Sequence, residues 1–140
     1  MVGLGCGARS YTQRIHYSSR FAVSQAGVRT LVRDWIQQDD RDWSRATHGV
    51  WLTEDDRRRR TVLLSLLQVS GLSTVDYTAR FGSEVEGDFP GLHQLCERGW
   101  ATWQSGTLRL TAEGLALSDA IGPWLYAPDR RRALEEFAPA

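Results

Sequence analysis

Residues 52–69 read LTEDDRRRRTVLLSLLQV, and this stretch determines how the second half of the chain folds. Thr53 is a typical helix N-cap residue, and the acids at 54–56 lie where the positive end of a helix favours carboxylates. Arginines at 57–60 follow, and acid-to-arginine pairs four residues apart reinforce the first turns. A buried stripe comes next, supplied by Val62, Leu63, Leu64, Leu66, Leu67 and Val69. The pattern predicts a long amphipathic helix that ends at Gly71.

The four consecutive arginines have two interpretations, a solvated helix face or a nucleic-acid patch. The whole chain of 140 residues carries 17 arginines and no lysine, balanced by 17 acids, so its formal net charge is zero. Without an overall positive field, nothing draws the protein to nucleic acid or to an anionic membrane. We therefore interpret the run as a solvated helix face.

The chain beyond Gly71 predicts several short elements. They are a helix over 73–80 closed by Gly82, a polar loop over 83–88, a helix over 90–99, a hairpin over 100–110 around Ser105-Gly106, a helix from Thr111 to Ile121 ended by Gly122-Pro123, and an amphipathic piece over 130–137. The order of helix, short helix, second helix, hairpin and helix over 53–121 is typical of a winged helix-turn-helix unit. We predict a mainly α fold with a small β-hairpin.

A winged helix can bind DNA through basic side chains of its second helix. Here that helix offers His93, Gln94, Glu97 and Arg98, and only Arg109 lies near the turn of the hairpin. This set neutralises few phosphates, so DNA binding is not expected. A stand-alone winged-helix module that binds DNA or a protein stays open as the alternative, with any exposed tryptophans as contacts: Trp100, Trp103 and Trp124.

The first eleven residues, MVGLGCGARSY, place an apolar step before alternating glycines. They predict the end of a strand and a tight loop in which Gly3, Gly5 and Gly7 leave the backbone accessible to a ligand. A simple turn or a disordered terminus is the alternative. No helix opens at the third glycine, so the pattern is not a dinucleotide fingerprint, and without lysine it is not a phosphate loop.

The segment from Ser24 to Gln38 predicts a capped helix, since apolar residues recur at the spacing of one helix face: Val28, Leu31, Val32, Trp35 and Ile36. The stretch 39–49 has no sustained period and predicts a connecting loop. Trp43 and Trp51 are expected to anchor that loop to a core.

The two cysteines, Cys6 and Cys96, lie too far apart for a paired metal-ligand spacing and fit a reducing environment better than a disulfide framework. No residue group predicts a metal site or a catalytic triad. The chain shows no signal peptide and no apolar run near the roughly 20 residues of a membrane span. We expect a soluble, cytoplasmic protein without membrane contacts.

Several motifs together resemble one family. They are residues 3–11 with Ile15-His16-Tyr17-Ser18, the helix start at 52–58, the leucine pairs after it, Gly99-Trp100, and Leu110-Thr111-Ala112-Glu113-Gly114. Over nearly the whole chain, these resemble the last barrel strand and the C-terminal domain of radical S-adenosylmethionine enzymes. The group most similar is that of oxygen-independent coproporphyrinogen III oxidase and the haem chaperones.

The resemblance implies two parts. Residues 1–50 would be the final strand, loop and helix of a (β/α) barrel, and residues 51–140 a winged-helix-like C-terminal domain. Together they would supply part of the S-adenosylmethionine site and a substrate-covering domain of an oxidoreductase in porphyrin biosynthesis. The expected partners are an upstream barrel and a tetrapyrrole or other small molecule, not nucleic acid.

The family's chemistry uses S-adenosylmethionine and a [4Fe-4S] cluster held by a Cys-x-x-x-Cys-x-x-Cys loop, which this sequence lacks. We therefore expect the chain to hold neither cofactor alone and to be a segment, or a degenerate relative, of a larger enzyme.

The resemblance also implies site residues. Gly5, Gly7, Ala8 and Arg9 correspond to positions against S-adenosylmethionine, and Tyr11 and His16 to positions near the substrate. The oxidase branch has an apolar residue where Arg9 stands, and the chaperone branch usually reads Gly-Ala-His-Ser-Tyr. Arg9 would pair with a carboxylate of cofactor or substrate, or alternatively form a salt bridge within the protein. The alternative for His16 is a solvated loop histidine.

Overall fold

The computed structural model describes residues 1–19, 22–42, 45–46 and 48–136, with side chains up to residue 132. The chain divides into two compact units, one of Met1–Glu54 with Arg132–Ala140 and one of Asp55–Arg131. Eight helices and two three-stranded antiparallel sheets lie within the described residues. The fold is therefore mixed α/β, with more strands than the single predicted hairpin.

The first unit contains one sheet and one long helix: β1 (Arg9–Tyr11), β2 (Ile15–Ser18), α1 (Gln25–Ile36) and β3 (His48–Trp51). The strands follow each other in the order β1-β2-β3, and both neighbouring pairs are antiparallel. The predicted helix is confirmed with its cap, because the Ser24 hydroxyl accepts a hydrogen bond from the Gly27 amide at 3.0 Å.

The sheet corrects the predictions for the first 51 residues. The strand expected near Met1 begins instead at Arg9, and β3 occupies part of a stretch that was predicted to be a loop. Strands of three or four residues contain too few alternations for a period of two to be recognised in the sequence. Trp51 does not anchor this segment to a core, since it is 69% exposed; Trp43 lies outside the described residues. The barrel-remnant interpretation stays a prediction.

From residue 54 on, short helices surround the second sheet. The elements are α2 (Glu54–Leu66), β4 (Leu72–Ser73), α3 (Thr74–Phe81), α4 (Val85–Asp88), α5 (Leu92–Glu97), β5 (Ala101–Gln104), β6 (Thr107–Leu110), α6 (Ala112–Ala116), α7 (Ser118–Trp124) and α8 (Pro128–Glu136). The strand order is β4-β6-β5, so β4 adds a third strand to the predicted hairpin. This pairing was not predicted, because β4 has only two residues.

The cap at Thr111 and the helix end at Gly82 confirm the predictions, while Ser73, predicted within its helix, is the N-cap. The hydroxyls of Ser73 and Thr111 accept from the amides of Asp76 and Gly114 at 3.2 and 3.1 Å, which caps α3 and α6. Gly82 ends α3 with φ of 71°.

Several boundaries differ from the prediction. The helix α2 ends at Leu66 rather than near Gly71, and the helix predicted from Thr111 to Ile121 is divided into α6 and α7. The polar loop expected over 83–88 contains the short helix α4. Gly122-Pro123 does not end a helix, because α7 continues to Trp124. Pro123 lacks an amide proton, yet the Leu125 amide still donates to the Ile121 carbonyl at 3.1 Å, so the helical path continues past it.

One apolar core lies within residues 55–131. Its buried members come from the helices and from all three strands: Val62, Leu66, Leu72, Tyr77, Val85, Phe89, Leu92, Leu95, Ala101, Leu108, Ile121 and Leu125. On α2 the predicted stripe is buried only in part. Val62 and Leu66 are buried and Leu64 is 46% exposed, while Leu67 and Val69, beyond the end of α2, are 44% and 98% exposed. Fewer apolar residues of this stretch are therefore buried than the sequence pattern predicted.

Candidate functional site

The predicted cofactor segment forms a loop over residues 3–8, called the glycine loop below. Gly5 and Gly7 have φ values of 108° and 74°, a region that residues with a Cβ rarely occupy. A Cβ at either position would meet no atom within 4 Å, so both face open space. At Gly3 the reason for glycine is different, because a Cβ there would contact the Arg9 carbonyl oxygen at 2.5 Å. The loop thus combines backbone conformations that need glycine with an accessible surface.

Hydrogen bonds hold the glycine loop against the sheet. The Tyr11 amide donates to the Met1 carbonyl at 2.8 Å, and the Met1 ammonium donates to the Tyr11 carbonyl at 3.0 Å. Within the loop, the Ala8 amide donates to the Gly5 carbonyl at 3.1 Å. The amides of Gly3 and Gly7 each donate to a serine hydroxyl of the sheet region. The loop is therefore a defined turn that leads directly into β1.

The strand register then brings three of the predicted residues onto one face of the first sheet. Successive side chains of a strand alternate between the two faces, so Arg9 and Tyr11 share a face. Tyr11 lies opposite His16 and Arg9 opposite Ser18, which extends that face onto β2. The Tyr11 and His16 rings stack with centroids 4.0 Å apart and planes 13° from parallel. Ser18 in turn lies opposite His48 of β3. We call Arg9, Tyr11, His16, Ser18 and His48 the polar face.

The structure thus places Gly5, Gly7 and Ala8 in the loop and Arg9, Tyr11 and His16 beside it. Their assigned roles toward cofactor and substrate stay predictions. Arg9 is exposed and forms no ion pair with any described side chain, so its guanidinium is accessible.

His48 is a residue of the polar face that sequence reasoning missed. It lies in a stretch without alternation, and nothing in the sequence signals that this stretch pairs with β2. Only the register of β2 and β3 reveals that His48 shares a face with His16.

The arginine run differs from the solvated face predicted for it. The Arg58 guanidinium donates to Asp88 at 2.9 Å, and Arg59 donates to Asp55 at 2.7 Å and to the Leu125 carbonyl at 3.1 Å. Both guanidinium groups also lie over aromatic rings of the core region, at 5.7 and 5.3 Å from the ring centroids. The pair of Asp55 and Arg59 confirms the predicted spacing of four residues. These two arginines hold parts of the second unit together.

Asp88 is the centre of that network. Its carboxylate accepts from the Tyr77 hydroxyl at 2.8 Å and from the Ser83 hydroxyl at 2.5 Å, besides the bond from Arg58. The Ser83 hydrogen bond, followed by those of Tyr77 and Arg58, lowers the pKa of Asp88 below its ordinary 3.8. Burial and the bond to Asp88 raise the pKa of Tyr77, so the phenol stays protonated. The arrangement joins α2, α3 and α4, and it is a structural cross-link rather than a reactive site.

The iron-sulfur cluster of the family does not fit the residues described here. A [4Fe-4S] cluster is held by cysteine thiolates. Cys6 is exposed in the first unit, and burial raises the pKa of the half-buried Cys96 thiol in the second. Within the described ranges, no three His, Cys, Asp or Glu side chains are grouped so that they could bind a metal ion.

The same part of the chain contains no helix with the length and apolar character needed to cross a membrane.

Residues 52–117 match the family model described as the HemN C-terminal domain. This segment runs from the start of α2 to just past α6 and includes the Leu110-Thr111-Ala112-Glu113-Gly114 motif. For residues 52–117, the match confirms the resemblance to the C-terminal part of a HemN-like radical S-adenosylmethionine protein. No curated protein and no solved structure matches the chain.

Proposed function

Since residues 52–117 match the model of the HemN C-terminal domain, we propose that the chain is the C-terminal segment of a coproporphyrinogen III oxidase-like radical S-adenosylmethionine oxidoreductase. In this proposal, residues 1–50 supply part of the S-adenosylmethionine site, and residues 51–140 form a winged-helix-like domain that covers the substrate. An upstream barrel is the partner, and a tetrapyrrole or other small molecule is the substrate.

The observation that carries the proposal is the position of the glycine loop beside the polar face. The loop offers an accessible backbone at Gly5 and Gly7, and the chain then enters β1 with the exposed Arg9. S-adenosylmethionine has a carboxylate, which a guanidinium binds well. The stacked rings of Tyr11 and His16 add a flat surface on the same face, where a planar ligand could pack.

The chain is not catalytic alone in this proposal. HemN proteins normally use S-adenosylmethionine together with a [4Fe-4S] cluster, which supplies the electron for cleaving the cofactor. The residues described here do not fit that cluster, so its ligands would belong to the barrel. In this proposal, the glycine loop and Arg9 bind and orient S-adenosylmethionine, and the second domain covers the substrate.

The winged-helix interpretation of the second unit is supported by its order of elements and by β4, which pairs with the hairpin. A DNA-binding module gains no support from any comparison. Arg58 and Arg59 of the run are bound within the protein, and the Arg109 guanidinium donates to the Val69 carbonyl at 3.4 Å. Trp100 and Trp103 are half-buried against the core, and Trp124 is 37% exposed. The protein-binding alternative has no better support.

The test is a titration of the ¹⁵N-labelled 140-residue chain with S-adenosylmethionine, read from amide chemical shifts. We expect shifts confined to residues 5–11 and 16, with saturation only above about 1 mM, because a partial site provides only part of the binding free energy. Arg9→Ala should weaken the response, while Arg29→Ala, on α1, should leave it unchanged.

Two results would contradict the proposal. One is the absence of any shift in the glycine loop at tens of millimolar ligand. The other is saturation at micromolar concentrations by this chain alone, since a site that tight would be complete without a barrel.

A further inference from the structure

Two serine hydroxyls hold the glycine loop from opposite ends. We propose that Ser10 and Ser19 are positioning residues that fix the shape in which the loop meets its ligand. The claim about loop shape stands on the hydrogen bonds of the structure, and the claim about the ligand rests on the proposed function. Neither serine was singled out in the sequence as a site residue.

Ser10 holds the start of the loop. Its side chain is 2% exposed, and its hydroxyl accepts a hydrogen bond from the Gly3 amide at 3.0 Å. A buried hydroxyl is normally hydrogen bonded, and here the partner is a loop amide rather than a neighbour in the sheet. A Cβ at Gly3 would overlap with the Arg9 carbonyl oxygen, so the loop held by this bond lies against the backbone of β1. Ser10 therefore determines where the loop leaves the sheet.

Ser19 holds the other end. Its hydroxyl accepts from the Gly7 amide at 2.7 Å, and its own amide donates to the Ala8 carbonyl at 3.4 Å. Gly7 has φ of 74°, a conformation that glycine leaves easily because it has no side chain to restrict it. The Ser19 hydroxyl thus selects one of many backbone conformations at this glycine.

Between the two held amides, Leu4, Gly5 and Cys6 are exposed. A loop with three glycines loses much conformational entropy when a ligand orders it, and a loop that is already ordered avoids that loss on binding. The serine hydroxyls therefore act on the ligand through the loop and do not touch it. The side chain of Ser10 is on the opposite face from Arg9 and Tyr11, as strand alternation requires, which agrees with this indirect role.

The first test measures loop shape without a ligand. In the full chain, Ser10→Ala should raise the hydrogen-exchange rate of the Gly3 amide, and Ser19→Ala that of the Gly7 amide, by about five- to tenfold each, as expected for one lost hydrogen bond. Ser19→Thr keeps the hydroxyl and should restore slow exchange at Gly7. Ser70→Ala is the control, since Ser70 is an exposed serine of the second unit and has no part in the glycine loop or the polar face. Unchanged exchange in both alanine variants would overturn the proposal.

The second test measures how the shape of the loop affects ligand binding. With S-adenosylmethionine as the probe, the ligand-induced changes in amide chemical shift at residues 5–9 should be at least threefold smaller in Ser19→Ala than in the wild-type chain. They should return to the wild-type size in Ser19→Thr. A response that Ser19→Ala leaves intact would overturn the ligand claim. If the wild-type chain shows no response at all, the proposed function fails while the exchange result stands. If Ser10→Ala unfolds the β1-β2-β3 sheet, so that its amide signals disappear, the comparison of Ser19→Ala with Ser19→Thr tests the proposal alone.

Discussion

Residues 55–131 enclose thirteen buried apolar side chains, whereas among the described residues of 1–54 only Ser10 is buried. Both regions have a three-stranded antiparallel sheet and a helix with a serine N-cap, so secondary structure does not distinguish them. The two regions differ in how far their apolar side chains are buried. Most helical stability in proteins comes from packing of an apolar face, and among the described residues the first region has few such contacts.

The helix α1 shows this most clearly. Its apolar residues recur at helical spacing, yet none is buried, and Val28, Val32 and Ile36 are 42%, 40% and 71% exposed. On α2, by contrast, Val62 and Leu66 are 0% and 1% exposed. The same sequence pattern thus leads to a core in one region and to an open face in the other. In the proposed function, the upstream barrel would cover the open face.

The largest effect is expected in the core of residues 55–131. Leu66→Ala should lower the free energy of unfolding by about 2 to 5 kcal/mol, because it removes buried methyl groups and leaves a cavity. Leu64→Ala on the same helix removes the same atoms from a side chain that is 46% exposed, and should cost well under half as much. Urea unfolding followed by circular dichroism measures both. Equal costs would mean that the core of 55–131 is not packed as described.

Gly114→Ala is expected to have the next largest effect. A Cβ at this buried position would overlap with the Trp100 carbonyl oxygen, because α6 crosses the start of the hairpin there. Moving the backbone to relieve the overlap should cost about 1 to 3 kcal/mol. Gly87→Ala in α4 is the control, since a Cβ there meets nothing within 4 Å, and it should be neutral or slightly stabilising. A tolerated Gly114→Ala would contradict the close approach.

Asp88→Asn tests the network on α4, with an expected loss of about 2 kcal/mol at neutral pH from weakened charge-assisted hydrogen bonds. Because the folded-state pKa of Asp88 lies below its ordinary 3.8, the carboxylate's contribution is present in full above about pH 5. It is lost as the pH falls through the folded pKa, so wild type and variant should converge in acid. Unfolding at several pH values measures this, with Glu86→Gln, an exposed neighbour, as the control. A difference that persists unchanged below pH 3 would contradict the assignment.

Much of the second region was predictable from sequence, because its caps and turns are local. Ser73, Thr111 and Gly82 act where their residue types predict, and the glycine of the Leu110 to Gly114 motif has a physical reason that the structure supplies. The long-range pairings were not predictable. Nothing local indicates that β4 joins β6, or that Asp88 accepts from Arg58, thirty residues away.

For the candidate site, the alternating glycines predicted an accessible loop, and the roles of Arg9, Tyr11 and His16 came from the resemblance. Their common face followed only once the register was known. Ser10, Ser19 and His48 were missed for the same reason, since their partners lie on other strands or in the loop.

The smallest expected effect is the most direct test of the open face. Ile36→Ser in α1 should change the free energy of unfolding by less than about 0.5 kcal/mol, because the side chain is already 71% exposed and the two residues have similar helix propensity. The matched control is Ile121→Ser in α7, where the side chain is 3% exposed and the same change should cost several-fold more. Both are measured by urea unfolding of the 140-residue chain at two protein concentrations. A loss above about 1.5 kcal/mol for Ile36→Ser would show that α1 is covered in solution, and a dependence of that loss on concentration would identify a second copy of the chain as the cover.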